Sequence, residues 1–132
     1  MDVVSQRKVN LVQEEYRLLC LEIQNMDYPA VTDRISHVIS GINLLRNDYV
    51  GVHGESNISS YREEYEQFMQ TIVQNGELAD YQMIVRYSRK IQEDLLLIKD
   101  QIKQKPHNIP MVDKLSVGII LLLGDIDIRW YR

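Results

Sequence analysis

Apolar residues recur at alternating intervals of three and four along most of the chain, which is the spacing of one face of an α-helix. Five segments show this pattern, and it predicts helices at about residues 3–26, 31–50, 60–74, 77–103 and 110–130. The five stripes are Val9, Val12, Tyr16, Leu19 and Ile23; Ile35, Val38, Ile42, Leu45 and Tyr49; Tyr61, Tyr65, Phe68 and Ile72; Tyr81, Ile84, Ser88, Ile91, Leu95, Ile98 and Ile102; and Leu115, Ile119, Leu122, Ile126 and Trp130.

Two interruptions separate the first three stripes. Pro29 lacks a backbone donor and disfavours a helical conformation for Tyr28 before it. We therefore expect the second helix to begin after this proline, with Thr32 or Asp33 as its N-cap. The segment 51–60 (GVHGESNISS) holds two glycines and three serines, which predicts a loop.

The remaining boundaries carry helix-capping signals. Ser60 and Glu63 have the spacing of a capping box, in which each side chain bonds the backbone N–H of the other residue. Asn75-Gly76 is expected to end the third helix, because glycine readily adopts the left-handed conformation of a C-cap. Asn108 is the expected N-cap of the fifth helix.

Together these segments predict an all-α fold, a compact antiparallel bundle of about five helices that forms one domain over residues 1–132. Short connections between long amphipathic helices favour antiparallel neighbours. A chain of 132 residues buries roughly two-thirds of the surface of its unfolded state, which is enough for a core. Alanine occurs only twice, so large apolar side chains rather than helix propensity must stabilise the bundle.

The final stretch, LSVGIILLLGDIDIRWYR, is the most apolar part of the chain. Its uncharged residues, 115–124, would span about 15 Å as a helix, half of a hydrocarbon core of roughly 30 Å. Asp125 and Asp127 follow directly. We therefore exclude a transmembrane span.

Two interpretations of the C-terminal end remain open. A continuous helix, which we favour, pairs Asp125 with Arg129 one turn later. Because this helix is apolar nearly all round, we expect it to be the most buried of the five. A strand would instead place Ile126, Ile128 and Trp130 on one side, as an edge offered to another chain.

The bulk composition narrows the class of protein. Apolar residues make up 45% of the chain and charged residues 26%, which is typical of globular proteins. The net charge of −4 does not supply the clustered lysines and arginines that nucleic-acid binding requires. The single cysteine, Cys20, allows no disulfide within the chain, and no secretion signal opens it. We expect a soluble, cytoplasmic protein that does not act on nucleic acid.

Residue types that carry catalysis or metal binding show no recognisable arrangement. The three histidines, His37, His53 and His107, match no metal-ligand spacing, and no Glu-x-x-His of a di-metal bundle occurs. Cys20 is interpreted as a small buried hydrophobe, since no base or electropositive setting accompanies it. We predict no catalytic residue, no metal and no cofactor.

The other charged and aromatic residues are interpreted structurally. The acidic groups lie off the apolar stripes and are expected to form a solvated face. They are Glu14-Glu15, Glu63-Glu64 with Glu66, Glu93-Asp94, and Asp125 with Asp127. Arg86, Arg89 and Lys90 are expected to pair with nearby acids. Five tyrosines are expected at the rim of the core, with their hydroxyls hydrogen-bonded. They are Tyr16, Tyr49, Tyr61, Tyr65 and Tyr81.

Three interpretations of function follow. The first, which we favour, is a small helical protein-interaction module, such as an adaptor, an export chaperone or an inhibitor of the immunity type, that packs helices against a protein partner. Its size and layout are similar to those of flagellar and secretion export chaperones, a likeness of fold only. The second is an obligate homo-oligomer, such as a homodimer, with a structural role. The third is an enzyme whose site is assembled from scattered residues.

Candidate partner-binding residues lie at the C-terminal end. They are Ile126, Ile128, Trp130 and Tyr131. Tryptophan and tyrosine are enriched in binding hot spots. We therefore predict that replacing Trp130 and Tyr131 by alanine weakens partner binding and leaves the helical circular dichroism intact.

Overall fold

A computed structural model of the protein describes residues 3–49, 58–72, 81–104 and 108–130. These residues form five α-helices and no strand, which confirms the all-α prediction. The helices are α1 (Val3–Gln24), α2 (Tyr28–Tyr49), α3 (Ile58–Ile72), α4 (Tyr81–Lys103) and α5 (Ile109–Trp130).

Four of the helices form a ring, in which α1 packs on α2, α2 on α5, α5 on α4, and α4 on α1. Contacts at opposite ends show that α1 and α2 are antiparallel. Lys8 near the start of α1 pairs with Asp48 near the end of α2. Arg34 near the start of α2 pairs with Glu22 near the end of α1.

The neighbours of α5 in the ring are antiparallel to it as well. Arg46 near the end of α2 pairs with Asp113 near the start of α5. The Tyr87 hydroxyl in the first half of α4 donates to Asp125 near the end of α5 at 2.6 Å. The ring therefore has the up-and-down arrangement that the short connections predict.

The remaining helix, α3, lies outside the ring against α5. It runs parallel to α5, because Glu64 near its start pairs with Lys114 and Met69 near its end lies beside Arg129. It also reaches α4, where the Phe68 ring packs against the Tyr87 ring at a centroid distance of 6.2 Å. The bundle is thus a four-helix ring with one added helix.

The predicted stripes form most of the core, and α5 contacts three other helices, α2, α3 and α4. Each fully buried leucine or isoleucine stabilises the fold by roughly 1.5–3 kcal/mol relative to an exposed one. The buried stripe residues are Val9, Val12, Tyr16, Leu19, Ile35, Val38, Ile42, Leu45, Tyr65, Ile84, Ile91, Leu95, Ile98, Ile102, Leu115, Ile119, Leu122 and Ile126.

The predicted start of α2 is wrong. The helix begins at Tyr28, so Thr32 and Asp33 lie inside it. Asp27 is the N-cap, since its backbone carbonyl accepts from the Val31 N–H at 2.9 Å. Pro29 does not delay the helix, because a proline in the first turn removes only an N–H that has no intrahelical partner.

The turn between α1 and α2 is a Schellman motif without glycine. The Asp27 N–H donates to the Glu22 carbonyl at 3.2 Å, and the Met26 N–H donates to the Ile23 carbonyl at 3.1 Å. Met26 takes the left-handed position with φ of 55°. Most motifs of this kind place glycine there. Methionine therefore carries a backbone cost at this position.

The capping box is also placed wrongly, and one cap is confirmed. Because α3 begins at Ile58, Ser60 lies within its first turn and not before it. Asn108 caps α5 as predicted, with its side-chain oxygen accepting from the Met111 N–H at 3.1 Å. The predicted loop at 51–60 is wrong over its last three residues, which belong to the first turn of α3. Its residues 51–57, the predicted stop at Asn75-Gly76 and the predicted start of the fourth helix at residue 77 lie outside the described residues.

The helix interpretation of the C-terminal end is confirmed as far as Trp130, and the strand interpretation is wrong there. The expected pair is present, with Arg129 Nε 3.0 Å from Asp125 Oδ2. Tyr131 and Arg132 lie outside the described residues. None of the described helices combines the length and the apolar character needed to cross a membrane.

Candidate docking groove between α1 and α4

An open groove runs along the seam between α1 and α4. It consists of two adjoining cavities, of about 300 Å³ and 240 Å³, which share Cys20 and Gln92. The first is lined by Gln13, Tyr16, Arg17, Cys20, Gln92, Leu95 and Leu96. The second is lined by Cys20, Ile23, Gln24, Ile84, Val85, Ser88, Arg89 and Gln92.

The groove exists because the two helices meet through residues that do not fill their seam. Cys20 on α1 and Ser88 on α4 are small and only half-buried. One bridge crosses beneath them, where the Tyr16 hydroxyl donates to the Ser88 backbone carbonyl at 3.2 Å. Burial raises the pKa of Tyr16, so this hydroxyl keeps its proton at neutral pH.

The floor of the groove is apolar and its edge exposes a leucine. Tyr16, Ile84 and Leu95 belong to the buried core, and Ile23 packs against it. Leu96 stands at the lip with 57% of its surface exposed. An apolar floor that continues onto an exposed leucine is the kind of surface that a partner's side chains cover.

The chemistry of the lining favours binding over catalysis. Cys20 is half-buried, and burial raises the pKa of its thiol, which keeps it protonated and a poor nucleophile. The described residues that line the two cavities include neither a histidine nor a carboxylate that could act as its base. The expectation that Cys20 is a small apolar filler holds in part, since the residue packs against the core without being fully buried.

A buried polar cluster lies beneath α3, at a cleft of about 370 Å³ between α3, α4 and the start of α5. Asp94 is completely buried there, so the expectation that it lies on a solvated face is wrong. The Tyr65 hydroxyl donates to Asp94 Oδ2 at 2.7 Å. Lys90 Nζ is 3.3 Å from Oδ1 and stands over the Tyr65 ring, 5.5 Å from its centroid.

The Asp94 carboxylate fastens α3 to the ring. Its Oδ1 has the ionic contact with Lys90 but no hydrogen bond of good geometry among the described residues. Burial raises the pKa of Asp94, while Tyr65 and Lys90 act in the opposite direction. A buried carboxylate without hydrogen-bond partners destabilises the fold. Loss of the Tyr65 contact should therefore weaken the packing of α3 against α4.

Further polar contacts join α5 to its neighbours, and the sequence did not reveal them. Arg46 on α2 pairs with the buried Asp113, and Tyr87 on α4 donates to Asp125, which also accepts from Arg129 within α5 as predicted. Tyr87 is completely buried although it lies beside the predicted stripe of α4. Its spacing from the stripe residues Ile84 and Ile91, three and four residues away, was the signal that could have placed this ring in the core.

The expectations for the tyrosines and for the basic residues of α4 are met only in part. Tyr16 and Tyr65 have bonded hydroxyls but lie inside the core and not at its rim, whereas Tyr49 and Tyr61 are half-buried. The side chain of Tyr81 lies outside the description. Among Arg86, Arg89 and Lys90, the pairing with an acid is seen for Lys90, which contacts the buried Asp94.

Of the four residues predicted to bind a partner, the structure describes the side chains of two, and these differ in exposure. Ile126 is 1% exposed and belongs to the core, whereas Ile128 is 60% exposed. Trp130 is the last residue of α5, with its side chain outside the description, and Tyr131 lies outside the described residues. Neither Ile126 nor Ile128 lines the groove. Sequence reasoning missed the groove because its lining combines stripe residues, such as Tyr16 and Leu95, with flanking residues such as Gln92, and periodicity does not show which neighbouring helix covers them.

The histidines and acids show no metal site. His37 is exposed, with Nδ1 4.0 Å from a Glu15 oxygen. His53 and His107 lie outside the described residues. Across the described part of the chain, no group of three histidine, cysteine, aspartate or glutamate side chains is placed to hold a metal ion.

No protein-family model matches the chain, and comparisons with curated proteins and with solved structures found no significant match.

Proposed function

We propose that this chain is a helical protein-interaction module that receives an amphipathic helix of a protein partner in the groove between α1 and α4. The observation that carries the proposal is the open seam, whose apolar floor continues onto the exposed Leu96. A module of this kind masks or presents a segment of its partner, as adaptors, export chaperones and inhibitors do.

The dimensions of the groove suit a helix. Its α1 wall runs from Gln13 to Gln24, which is about 16 Å, or three helical turns. The two cavities accommodate side chains and not a whole helix, so a partner would lie over the seam and insert apolar residues from one face. Anchors at positions i, i+3 and i+7 of an amphipathic helix point in the same direction, as this geometry needs.

The proposal is tested with Leu96→Glu, which places a charge at the lip of the groove. Since Leu96 is 57% exposed, the substitution should leave the fold intact, with a change in the free energy of unfolding within about 0.5 kcal/mol. The matched control is Ile109→Glu, because Ile109 is 42% exposed on α5 and lines neither cavity.

Tagged full-length protein is used to capture partners from the source cells, with quantitative mass spectrometry as the readout. We expect a partner that binds both the wild type and the Ile109→Glu variant, and that no longer binds the Leu96→Glu variant. The purified partner should then slow alkylation of Cys20, which lies where the two cavities meet. Equal capture by Leu96→Glu, or alkylation at an unchanged rate in the complex, would contradict the proposal.

A second candidate function, self-association, is favoured by a different surface. Leu11 on α1 and Leu44 on α2 are 66% and 60% exposed. The pairs Lys8–Asp48 and His37–Glu15 bracket them along the antiparallel helices, so both leucines lie at the same level of the bundle. Analytical ultracentrifugation tests this function: a dimer that Leu44→Glu dissociates supports it, and a wild-type monomer at high concentration refutes it.

A further inference from the structure

The edge of the groove is positively charged in a chain whose net charge is negative. The described lining of the two cavities carries two arginines, Arg17 on α1 and Arg89 on α4, and no aspartate or glutamate. The whole chain has 19 acidic residues against 15 lysines and arginines. The groove therefore differs in sign from the average surface of the molecule.

Both arginines are accessible to a partner that lies over the seam. Arg89 is exposed, and the Arg17 side chain is 58% exposed. Arg17 bonds Glu14 through Nε and Nη2, at 3.0 Å and 2.6 Å. Glu14 lies one turn before Arg17 and lines neither cavity. The Nη1 group of Arg17 takes no part in the pair with Glu14. A second carboxylate can approach from the groove side.

Local charge outweighs net charge at this distance. At an ionic strength of 0.1 M the Debye length is about 10 Å, so the distant acidic residues of the chain are largely screened from a ligand in the groove. A carboxylate that contacts either guanidinium is well within that length, and so is Glu14, which offsets part of the charge of Arg17 but not that of Arg89. The groove thus selects negative charge even though the chain as a whole is acidic.

We infer that the helix bound in this groove carries aspartate or glutamate residues beside its apolar face, and that Arg17 and Arg89 determine this preference. The inference rests on the proposed function, since it concerns the occupant of the same groove. A basic amphipathic helix would bring like charges to both edges of the seam and be rejected.

The test is a selection from a displayed library of amphipathic 18-residue helices. All members share one leucine-rich face, and the positions beside it encode glutamate and lysine at equal frequency. The bait is the wild-type protein, and counter-selection against Leu96→Gln, which adds no charge to the groove, keeps only the helices that depend on the groove. Binders are then synthesised and measured by fluorescence anisotropy at low and high salt.

We expect groove-dependent binders to be enriched in glutamate at the flanking positions and to weaken as the salt concentration rises. Replacing either arginine by glutamine should weaken a selected acidic helix by about twofold to fivefold, the range of exposed ion pairs. The double variant Arg17→Glu/Arg89→Glu should prefer lysine-flanked helices. The matched control is Arg86→Glu, an exposed position on α4 that lines neither cavity.

The outcomes separate the inference from the function on which it rests. Groove-dependent binders with no excess of glutamate, or with an excess of lysine, would overturn the inference and leave the groove as a docking site. A library that yields no binder sensitive to Leu96→Gln would overturn both.

Discussion

The contact between Tyr65 and Gly118 leads to a sharp prediction about how α3 is held. Gly118 lies inside α5, and a Cβ atom added to it would overlap the Tyr65 ring. The substitution Gly118→Ala therefore forces the ring away from α5. Because the same ring carries the hydroxyl that bonds Asp94, its displacement also strains the contact that fastens α3 to α4.

The magnitude follows from three contributions. Overpacking a filled site costs about 1–3 kcal/mol. Loss of a hydrogen bond to a buried carboxylate costs about 1.5–3 kcal/mol. Alanine favours a helix interior over glycine by about 1 kcal/mol, which acts in the opposite direction. We expect Gly118→Ala to lower the free energy of unfolding by about 2–4 kcal/mol, because the ring relieves part of the overlap when it moves.

Gly124→Ala is the matched control, on the same helix and with the same chemical change. A Cβ atom there meets nothing within 4 Å. The helix-propensity gain is then unopposed, and we expect a stabilisation of up to about 1 kcal/mol. The free energy of unfolding of both variants is measured by urea unfolding followed by circular dichroism. An unchanged m-value shows that the variants differ in stability alone.

Removal of the ring tests the mechanism itself. In a Tyr65→Ala background no ring opposes the new methyl group, so Gly118→Ala should become neutral or stabilising. A coupling of about 2 kcal/mol or more is expected in the double-mutant cycle. The reasoning is refuted if Gly118→Ala matches Gly124→Ala in stability, or if its effect is the same with and without the tyrosine.

Three further predictions use the same unfolding assay. Met26→Gly should stabilise the fold by about 1 kcal/mol, since glycine accepts the positive φ and Met26 is largely exposed; Met26→Ala should change little, and a stabilisation of equal size in both variants would refute the role of φ. Because burial raises the pKa of Asp94 in the fold above that in the unfolded chain, the folded state holds the proton at a higher pH. The stability of the wild type relative to Asp94→Asn should therefore increase as the pH falls from 7 towards 4, and a relative stability that is constant or decreases would contradict this. Ile128→Asp should leave the free energy of unfolding within about 0.5 kcal/mol, because the residue is exposed; a larger loss would show that this end of α5 is covered. Unchanged partner binding by the same variant would remove Ile128 from the predicted contacts.

Apolar periodicity alone determined the number of helices and the face that each turns inward. The 3–4 spacing is a local property of the helix, so it survives whatever the neighbours are, and residues such as Leu19, Ile42 and Leu122 are buried as the pattern requires. The cap at Asn108 is local for the same reason, since its side chain bonds an N–H three residues ahead. Local signals were wrong at the turn between α1 and α2. Pro29 was expected to delay the start of α2 but lies inside its first turn, and the left-handed position of the preceding turn is occupied by Met26.

Tertiary packing decided what lies on the flanks of those faces. Asp94 and Tyr87 stand beside the apolar stripe of α4, and the position of α3 turns that flank into the interior. On the opposite flank, Gln92 lies beside the stripe residue Ser88, and both meet Cys20 across a seam that these residues do not fill, which creates the groove. Periodicity identifies the centre of a buried face, but the neighbour that covers its edges depends on the order of the helices around the bundle. That order, and with it the site, arises only when the chain has packed.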